Sequence, residues 1–188
     1  DRLKNRYGVA VESEELRVSL RETFATPAKA KGRHVKQSGG HGQYAVCTIE
    51  VEPLPRGEGF EYVDKIFGGA IPHQFIGSVE KGIVKTMQQG VISGNPMVDI
   101  RCTLVDGKFH SVDSSDMAFQ LAGSLALKEA ATAAGVVLLE PIVEVDVVVP
   151  ESHTGDIMGD RNAKRAKIQG VESAGTGKQR VKALVPQP

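Results

Sequence analysis

The fold is decided by residues 60–104, FEYVDKIFGGAIPHQFIGSVEKGIVKTMQQGVISGNPMVDIRCTL. The apolar content of Phe60–Ile66 predicts a strand, and Met97–Leu104 alternates with the period of two that is typical of another strand. Between them, Pro72 suits the first turn of a helix and Gly90 suits its end. One face of that helix is apolar at i, i+4 spacing, through Phe75, Ile76, Val79, Ile83 and Met87. The segment therefore predicts a β-α-β unit whose helix packs by one side.

The residues on either side of this unit extend the same layer. Gln43–Val51 alternates as a strand and is followed by a Pro/Gly-rich turn at Pro53–Gly59. Downstream, Asp106-Gly107 predicts a tight turn. Ser115 and its neighbours then have the chemistry of a helix N-cap, before an alanine-rich helix over Met117–Ala134 that ends at Gly135. We expect a β-rich layer covered by two helices.

Both ends of the sequence suggest parts of other units. Asp1–Tyr7 resembles the end of a helix stopped by Gly8, and Val9–Leu20 has a strand-like content. We therefore expect this sequence to be a piece cut from a longer chain.

A different unit begins at Glu140-Pro141. Ile142–Val149 predicts a strand, His153–Ile168 a helix, and Gln169–Ala174 with Lys178–Val185 a hairpin. That β-α-β-β order is ferredoxin-like, but a ferredoxin-like domain needs one more helix and strand. We expect an incomplete domain.

Composition excludes several classes of protein. The 188 residues hold 23 Lys+Arg and 23 Asp+Glu, so a nucleic-acid surface must come from local clustering of charge. The two cysteines, Cys47 and Cys102, lie in apolar stretches and predict buried reduced thiols, with no disulfide scaffold or zinc ribbon. Neither a membrane span nor a signal peptide is recognisable, which favours a soluble cytoplasmic protein.

Catalytic and metal sites are not indicated. The glycine-rich Ser38–Gln43 lacks the Gly-Lys-Ser/Thr ending of a nucleotide P-loop and leads into a strand, while Gly177-Lys178 is better explained as a hairpin turn. The five histidines show no metal-ligand spacing. Asp113–Asp116 beside His110 could suggest a hydrolytic cluster, but helix capping explains these residues. We predict no catalytic residue, metal or cofactor in this chain.

RNA contact is the remaining hypothesis. From Thr23 to Ile49 there is no acidic residue, and the stretch ends in a glycine-rich loop whose backbone amides can approach a sugar-phosphate chain. A second basic cluster lies at i, i+3 and i+4 of the predicted helix of the second unit, with one more lysine nearby: Arg161, Lys164, Arg165 and Lys167. The glycine-rich stretch is equally compatible with a solvated flexible loop, and most basic helix faces like the second are merely solvated, so the residues alone leave that alternative open.

Five motifs carry a resemblance that favours RNA contact. They are KQSGGHGQY at 36–44, FGGAIP at 67–72, LVDGKFHSVDSS at 104–115, LLEPI at 138–142 and GDIMGDRN at 155–162. In this order, over nearly the whole chain, they resemble the elongation factor G family. The resemblance implies the tail of the family's third domain at 1–23, its fourth domain at 24–139 and most of its fifth at 140–188.

The resemblance also implies an α+β fold. It implies a ribosomal-protein-like domain with a left-handed β-α-β crossover, against the usual right-handed preference, followed by a partial ferredoxin-like β-α-β-β domain. In the family the fourth domain is an arm whose tip enters the decoding region of the small subunit. The residues implied to contact tRNA and rRNA there are Lys36, Gln37, Ser38, Gly39, Gly40, His41, Gly42, Gln43, Asp106, Gly107, Lys108, His110 and Ser111. The basic helix with Arg161, Lys164, Arg165 and Lys167 is implied to contact large-subunit GTPase-associated rRNA.

The function implied is promotion of tRNA–mRNA translocation by a monomeric, ribosome-dependent GTPase of the cytoplasm. Ribosome, tRNA and mRNA are the implied partners, and GTP and Mg²⁺ are expected in a domain that precedes this chain in the parent protein. One position departs from the family pattern, because His41 stands where the housekeeping factor commonly has arginine. This departure resembles the elongation factor G-like paralogue, which leaves ribosome recycling or regulation as an alternative. A small-molecule kinase with a left-handed β-α-β fold is a further alternative, but its phosphate-binding glycine loop should open a helix.

Overall fold

The computed structural model describes residues 6–8, 18–37 and 39–187, without the side chains of Arg161 and Asn162. The chain divides into two compact units, of which one is Leu20–Leu139 and the other includes the residues from Glu140 onward. Among the described residues, no helix is long and apolar enough to cross a membrane.

The first unit contains six strands and two helices. In chain order the elements are β1 (Arg21–Phe24), β2 (Ala28–Lys36), β3 (Gln43–Pro53), β4 (Phe60–Asp64), α1 (His73–Gln89), β5 (Ile100–Lys108), α2 (Asp116–Ala134) and β6 (Val136–Leu139). Four of the strands form a sheet in the order β2-β3-β5-β4, and β1 pairs with β6 in a separate antiparallel ribbon.

The predicted β-α-β unit is confirmed. Strands β4 and β5 are parallel neighbours joined by α1, which begins after Pro72 and ends before Gly90 at a φ of 74°. The apolar face of α1 packs inward, with Val79, Ile83 and Met87 buried. The left-handed sense of the crossover stays a prediction from the resemblance.

The core lies between the sheet and the two helices. At two glycines the backbones of these elements approach each other closely. A Cβ on Gly32 of β2 would lie 1.8 Å from the carbonyl oxygen of Ala122 in α2. Between the helices, a Cβ on Gly82 would lie 2.0 Å from the carbonyl oxygen of Gln120. Gly32 and Gly82 therefore let backbone pack on backbone. On α2, nine small or apolar residues are buried: Ala118, Phe119, Ala122, Gly123, Ala126, Leu127, Ala130, Ala131 and Ala134.

The predicted tight turn at Asp106-Gly107 is wrong, because both residues lie inside β5. This strand runs over Ile100–Lys108 instead of ending at Leu104, and its register with β3 shifts between Thr48 and Ile49. Gly107 is buried, and a Cβ there would lie 2.4 Å from Cδ1 of Ile71. The glycine is required by close packing and not by a turn.

Strands β1, β2 and β6 were not predicted from the sequence pattern. At the N-terminus, Arg6 and Tyr7 are helical and Gly8 has a φ of 67°, in agreement with the predicted helix end. The strand predicted over Val9–Leu20 lies mostly outside the described residues, and Val18–Leu20 are not in a strand.

The predicted burial of the two cysteines is confirmed. Cys47 in β3 and Cys102 in β5 are free and buried. Burial raises the pKa of each thiol to about 12, so neither is a reactive thiolate near neutral pH.

The second unit has the predicted β-α-β-β order. It consists of β7 (Ile142–Pro150), a 3₁₀ turn (Glu151–His153), α3 (Thr154–Ala163), β8 (Lys167–Ser173) and β9 (Lys178–Pro186). Its sheet is antiparallel in the order β7-β9-β8, and the hairpin predicted around Gly175-Thr176-Gly177 joins β8 to β9. The predicted helix end at Ile168 is wrong. The helix stops at Ala163, because Arg165 takes a φ of 58° and Lys167 already pairs with Leu184 of β9.

Candidate nucleic-acid interface

Two loops of the first unit lie side by side at one end of its four-stranded sheet. Residues 37–42 connect β2 to β3, and residues 109–115 connect β5 to α2. Because β3 is antiparallel to both β2 and β5, these two connections emerge at the same edge, which we call the loop end.

Three hydrogen bonds join the second loop to the end of the first loop and the start of β3, where Tyr44 lies. The backbone N–H of Gly42 donates to Oδ1 of Asp113 at 3.1 Å, and the N–H of Tyr44 donates to the Asp113 carbonyl oxygen at 2.8 Å. The hydroxyl of Ser114 donates to the Tyr44 carbonyl oxygen at 2.6 Å. A Cβ on Gly42 would lie 2.8 Å from Oδ2 of Asp113, so a larger residue here would have to displace the carboxylate that joins the loops. The loops therefore form one fixed surface.

His110 is oriented by its own loop. Its Nδ1 accepts the backbone N–H groups of Val112 and Asp113, each at 3.2 Å, and the carboxylate of Asp113 lies 3.6 Å from the same nitrogen. A nitrogen that accepts two hydrogen bonds carries no proton, so neutral His110 carries its proton on Nε2. The side chain is 51% exposed, and within residues 18–37 and 39–187 no hydrogen bond to Nε2 is formed. His110 thus presents an N–H donor to solvent from a fixed ring.

The first loop exposes most of the residues expected there. Exposed are Lys36, Gln37, Gly39, Gly40 and His41, whereas Gly42 is half-buried under Asp113. Ser38 lies outside the described residues. Gln43 opens β3, and its side-chain oxygen lies 2.6 Å from Nε2 of His34, which is buried. The side-chain oxygen of Gln43 is therefore engaged within the protein.

The second loop is shorter than expected. Lys108 is exposed at the end of β5, and His110 and Ser111 are exposed in the loop, but Asp106 and Gly107 belong to the strand. Because Gly107 is buried against Ile71, it is not part of the loop surface.

Helix capping explains one residue of the Asp113–Asp116 cluster. Ser115 is the N-cap of α2, and its hydroxyl accepts the N–H of Ala118 at 3.1 Å. Asp113 and Ser114 instead join the two loops. Asp116 accepts hydrogen bonds from the Ser78 hydroxyl and the Gln120 amide, which hold the pKa of its carboxyl below its ordinary value. The contacts that Asp113, Ser114 and Tyr44 make between the two loops were not predicted. No local sequence pattern indicates a contact between segments so far apart in the chain.

Charge is distributed unevenly along the open face of the sheet. Far from the loop end, Lys29 pairs with Glu50, and Arg101 pairs with both Glu52 and Glu61. Toward the loop end the cross-strand register aligns Arg33, Val46 and Lys108 in one row and Lys31, Thr48 and Asp106 in the next. The charges on this face are therefore paired far from the loops, whereas its net charge is positive near them. This agrees with the absence of acidic residues from Thr23 to Ile49 in the sequence.

The second unit does not present the predicted basic helix. Of its four residues, Arg161 alone lies in α3. Lys164 follows the helix and contacts Asp160 at 3.3 Å, while both terminal nitrogens of Arg165 bond to the two carboxylate oxygens of Glu140 at 2.8 Å. Lys167 is the first residue of β8. These cations follow a turn, and Arg165 is already paired with an acid.

Comparisons with known proteins give a consistent result. Residues 16–149 match the family model described as Elongation factor G, domain IV, and residues 137–188 match Elongation factor G C-terminus. An Elongation factor G-like protein of Mycobacterium tuberculosis (strain CDC 1551 / Oshkosh) is 62% identical over 187 residues, covering 100% of this chain and 26% of that protein. An Elongation factor G of Aquifex pyrophilus is 52% identical over 175 residues, covering 93% of this chain and 25% of that protein.

Solved structures agree with the sequence matches. A crystal structure of a Thermus thermophilus protein has a TM-score of 0.83 and 39% sequence identity, and the match covers 96% of this chain and 27% of that one. The chain spans about a quarter of the length of the curated relatives it matches.

Proposed function

The chain belongs to the elongation factor G family, and from this premise we propose that it is the region of a cytoplasmic translation factor that contacts the ribosome. The loop end enters the decoding region of the small subunit, contacts tRNA and mRNA, and promotes their translocation. The second unit binds large-subunit rRNA. GTP and Mg²⁺ act in another part of the parent protein, which we expect to be a monomeric ribosome-dependent GTPase.

The joined pair of loops is the observation that carries this proposal. The bonds from Gly42 and Tyr44 to Asp113 fix the two loops relative to each other, so both loops can contact RNA as one surface. The fixed surface offers hydrogen-bond donors, namely the exposed glycine-rich backbone and Nε2 of His110. Donors of this kind suit phosphate and ribose oxygens. The mechanism is steric and electrostatic, and no bond is made or broken by this region.

Electrostatics support the same end of the unit. Lys36 and Lys108 are exposed beside the loops, and Lys31 and Arg33 continue the basic charge along β2. Lysines and arginines that neutralise phosphates release counterions, which makes binding depend on salt. The ion-paired opposite half of the sheet would contribute far less to such binding.

A second function within the same class is ribosome recycling or regulation. The observation that favours it is His41 in the exposed part of the first loop, where the family resemblance implies an arginine in the housekeeping factor. An imidazole lacks the charged fork of arginine, so this loop would hold phosphate less firmly.

Ribosome binding tests the proposal. The full-length protein that contains this chain is titrated onto 70S ribosomes carrying mRNA and tRNA, in a non-hydrolysable GTP analogue, over a range of salt concentrations. Lys36→Ala should weaken binding and reduce the slope of log affinity against log salt by about one unit. Lys128→Ala, an exposed lysine on α2, is the matched control and should leave the slope unchanged. Equal slopes for the Lys36→Ala protein and the wild type would contradict the proposal.

A further inference from the structure

Phe67 is the most exposed large apolar side chain among the described residues, at 92% of its full accessible surface. It lies in the segment 65–72 that connects β4 to α1. Removing an aromatic side chain from water is favourable, and folding leaves this contribution unused at Phe67. An aromatic ring this exposed is a candidate contact with another molecule.

The segment around Phe67 is anchored at both ends. On one side, the N–H of Lys65 donates to the Leu104 carbonyl oxygen at 2.9 Å and the N–H of Ile66 donates to Oδ1 of Asp64 at 2.8 Å. On the other side, Ile71 is 1% exposed and packs on Gly107. The phenylalanine is therefore held out on a fixed turn.

Two glycines make this turn. Gly68 and Gly69 have φ values of 63° and 71°, in the left-handed region, and the N–H of Ala70 closes the turn onto the Phe67 carbonyl oxygen at 3.4 Å. Neither glycine has a side chain that could shield the ring. The sequence FGG thus presents a single aromatic ring with open space beside it.

The position of Phe67 relates it to the candidate interface. Because β4 is parallel to β5, the segment after β4 emerges at the same edge of the sheet as the loop that carries His110. The contact between Ile71 and Gly107 joins the segment to β5 just before that loop. Residues 65–72 are therefore a third connection at the loop end.

We propose that Phe67 stacks on an unpaired base of the RNA that the loop end contacts. This inference rests on the proposed function. Unpaired bases stack on aromatic side chains irrespective of sequence. A protein pocket is the other possible occupant, but the loop end, of which this segment is part, exposes Lys36, Lys108 and His110, which are donors suited to RNA.

Cross-linking identifies the partner directly. A photoreactive benzoylphenylalanine replaces Phe67 in the full-length protein, which is bound to 70S ribosomes carrying mRNA and tRNA in a non-hydrolysable GTP analogue. We expect a cross-link to an unpaired nucleotide of rRNA, tRNA or mRNA. A cross-link to a ribosomal protein, or none, would overturn the inference.

An affinity series in the same assay separates stacking from simple apolar burial. Phe67→Ala should weaken binding at least about fivefold, the lower end of base–aromatic stacking. Phe67→Trp should retain the affinity, whereas Phe67→Leu should lose as much as alanine, because leucine keeps apolar bulk without an aromatic face. Ile92→Ala is the matched control, since Ile92 is 68% exposed in the segment after α1, at the opposite end of the unit. Full affinity of the Leu variant would contradict stacking.

The salt dependence distinguishes the two proposals. Stacking releases no counterion, so the Phe67 variants should keep the wild-type slope of log affinity against log salt, while Lys36→Ala reduces it. If the wild type binds with a steep slope and the Phe67→Ala protein binds equally well, the stacking inference fails and the proposed function stands. If the wild type does not bind ribosomes, the proposed function fails.

Discussion

The carboxylate of Asp113 accepts the backbone N–H of Gly42 at 3.1 Å, which joins two loops separated by 71 positions in the sequence. The same aspartate accepts the N–H of Tyr44 through its carbonyl oxygen and approaches Nδ1 of His110 to 3.6 Å. One residue therefore holds the first loop in place and helps to orient the histidine of the second. The loop end acts as a unit because of this shared residue.

The contribution of that contact can be measured with two substitutions of Asp113. Asp113→Asn keeps a side-chain oxygen that can accept the Gly42 N–H, whereas Asp113→Ala removes it. Alanine should slow the ribosomal step several-fold while lowering the free energy of unfolding by about 0.5–1.5 kcal/mol, the net value of one hydrogen bond. Single-round kinetics with thermal unfolding measure both quantities. Equal rates for the alanine variant and the wild type would show that joining the loops is unimportant for function.

Two glycines of α1, Gly82 and Gly77, should respond in opposite ways to substitution by alanine, because only Gly82 packs closely against α2. Gly82→Ala places a Cβ 2.0 Å from the Gln120 carbonyl oxygen and should destabilise the unit by about 1–3 kcal/mol. Gly77→Ala is the matched control, because Gly77 has no atom within 4 Å of its Cβ position. It should stabilise the helix by about 0.5–1 kcal/mol. Urea unfolding checks the opposite signs, and a shift in the same direction for both variants would refute the packing argument.

Acid sensitivity should depend on Glu22, which is fully buried in β1. Burial alone would raise the pKa of its carboxyl, but hydrogen bonds from the Ser93 hydroxyl and the N–H groups of Val91, Ser93 and Ile92 together outweigh burial and hold the pKa below its ordinary value. A lowered folded-state pKa adds stability above the unfolded pKa, and that stability is lost as the pH falls through the folded value. We therefore expect Glu22 to make the first unit progressively less stable below about pH 4.5.

Glu22→Gln tests this, because its amide places N–H donors against backbone N–H donors. The variant should lose about 1–3 kcal/mol at pH 7, and the difference from the wild type should shrink toward pH 3. Melting temperatures from pH 7 to pH 3 provide the measurement, with Glu129→Gln on the exposed face of α2 as the control. A difference that stays constant with pH would mean that the ionised carboxylate is not the stabilising species.

Local sequence patterns were sufficient to predict the helices and strands that bury one face. The helix of residues 73–89 could be predicted from its apolar spacing and its flanking Pro72 and Gly90, and β3 from its alternation. The predicted turn at Asp106-Gly107 failed because a glycine required by Ile71 has the same sequence signature as a glycine required by a turn. The end of α3 was not predicted, because the chain leaves the helical conformation at Arg165, where no glycine or proline marks the end of a helix.

The candidate site was predicted in part. Motifs located the residues of both loops, but the bonds between them depend on tertiary neighbours that no local spacing encodes. Ordinary helix capping was a reasonable explanation for Asp113 and Ser114, and tertiary contacts replaced it. The exposure of Phe67 could not be inferred either, because an apolar residue beside a helix start is usually buried.

His110 provides the most direct test of the central claim, that the loop end acts on ribosome-bound tRNA and mRNA. His110→Asn can keep an acceptor at the position of Nδ1 and so preserve the bonds from Val112 and Asp113, but it lacks the outward Nε2 donor. His110→Ala lacks both. The measurement is the rate of single-round translocation, or of the ribosomal step that this protein drives, together with the melting temperature. Both variants should be slowed at least about tenfold, equivalent to roughly 1.4 kcal/mol of barrier. The asparagine variant should melt like the wild type, and ribosome-stimulated GTP hydrolysis should persist in both. If the asparagine variant keeps the wild-type rate while the alanine variant melts several degrees earlier, His110 is a structural turn residue and the account is contradicted.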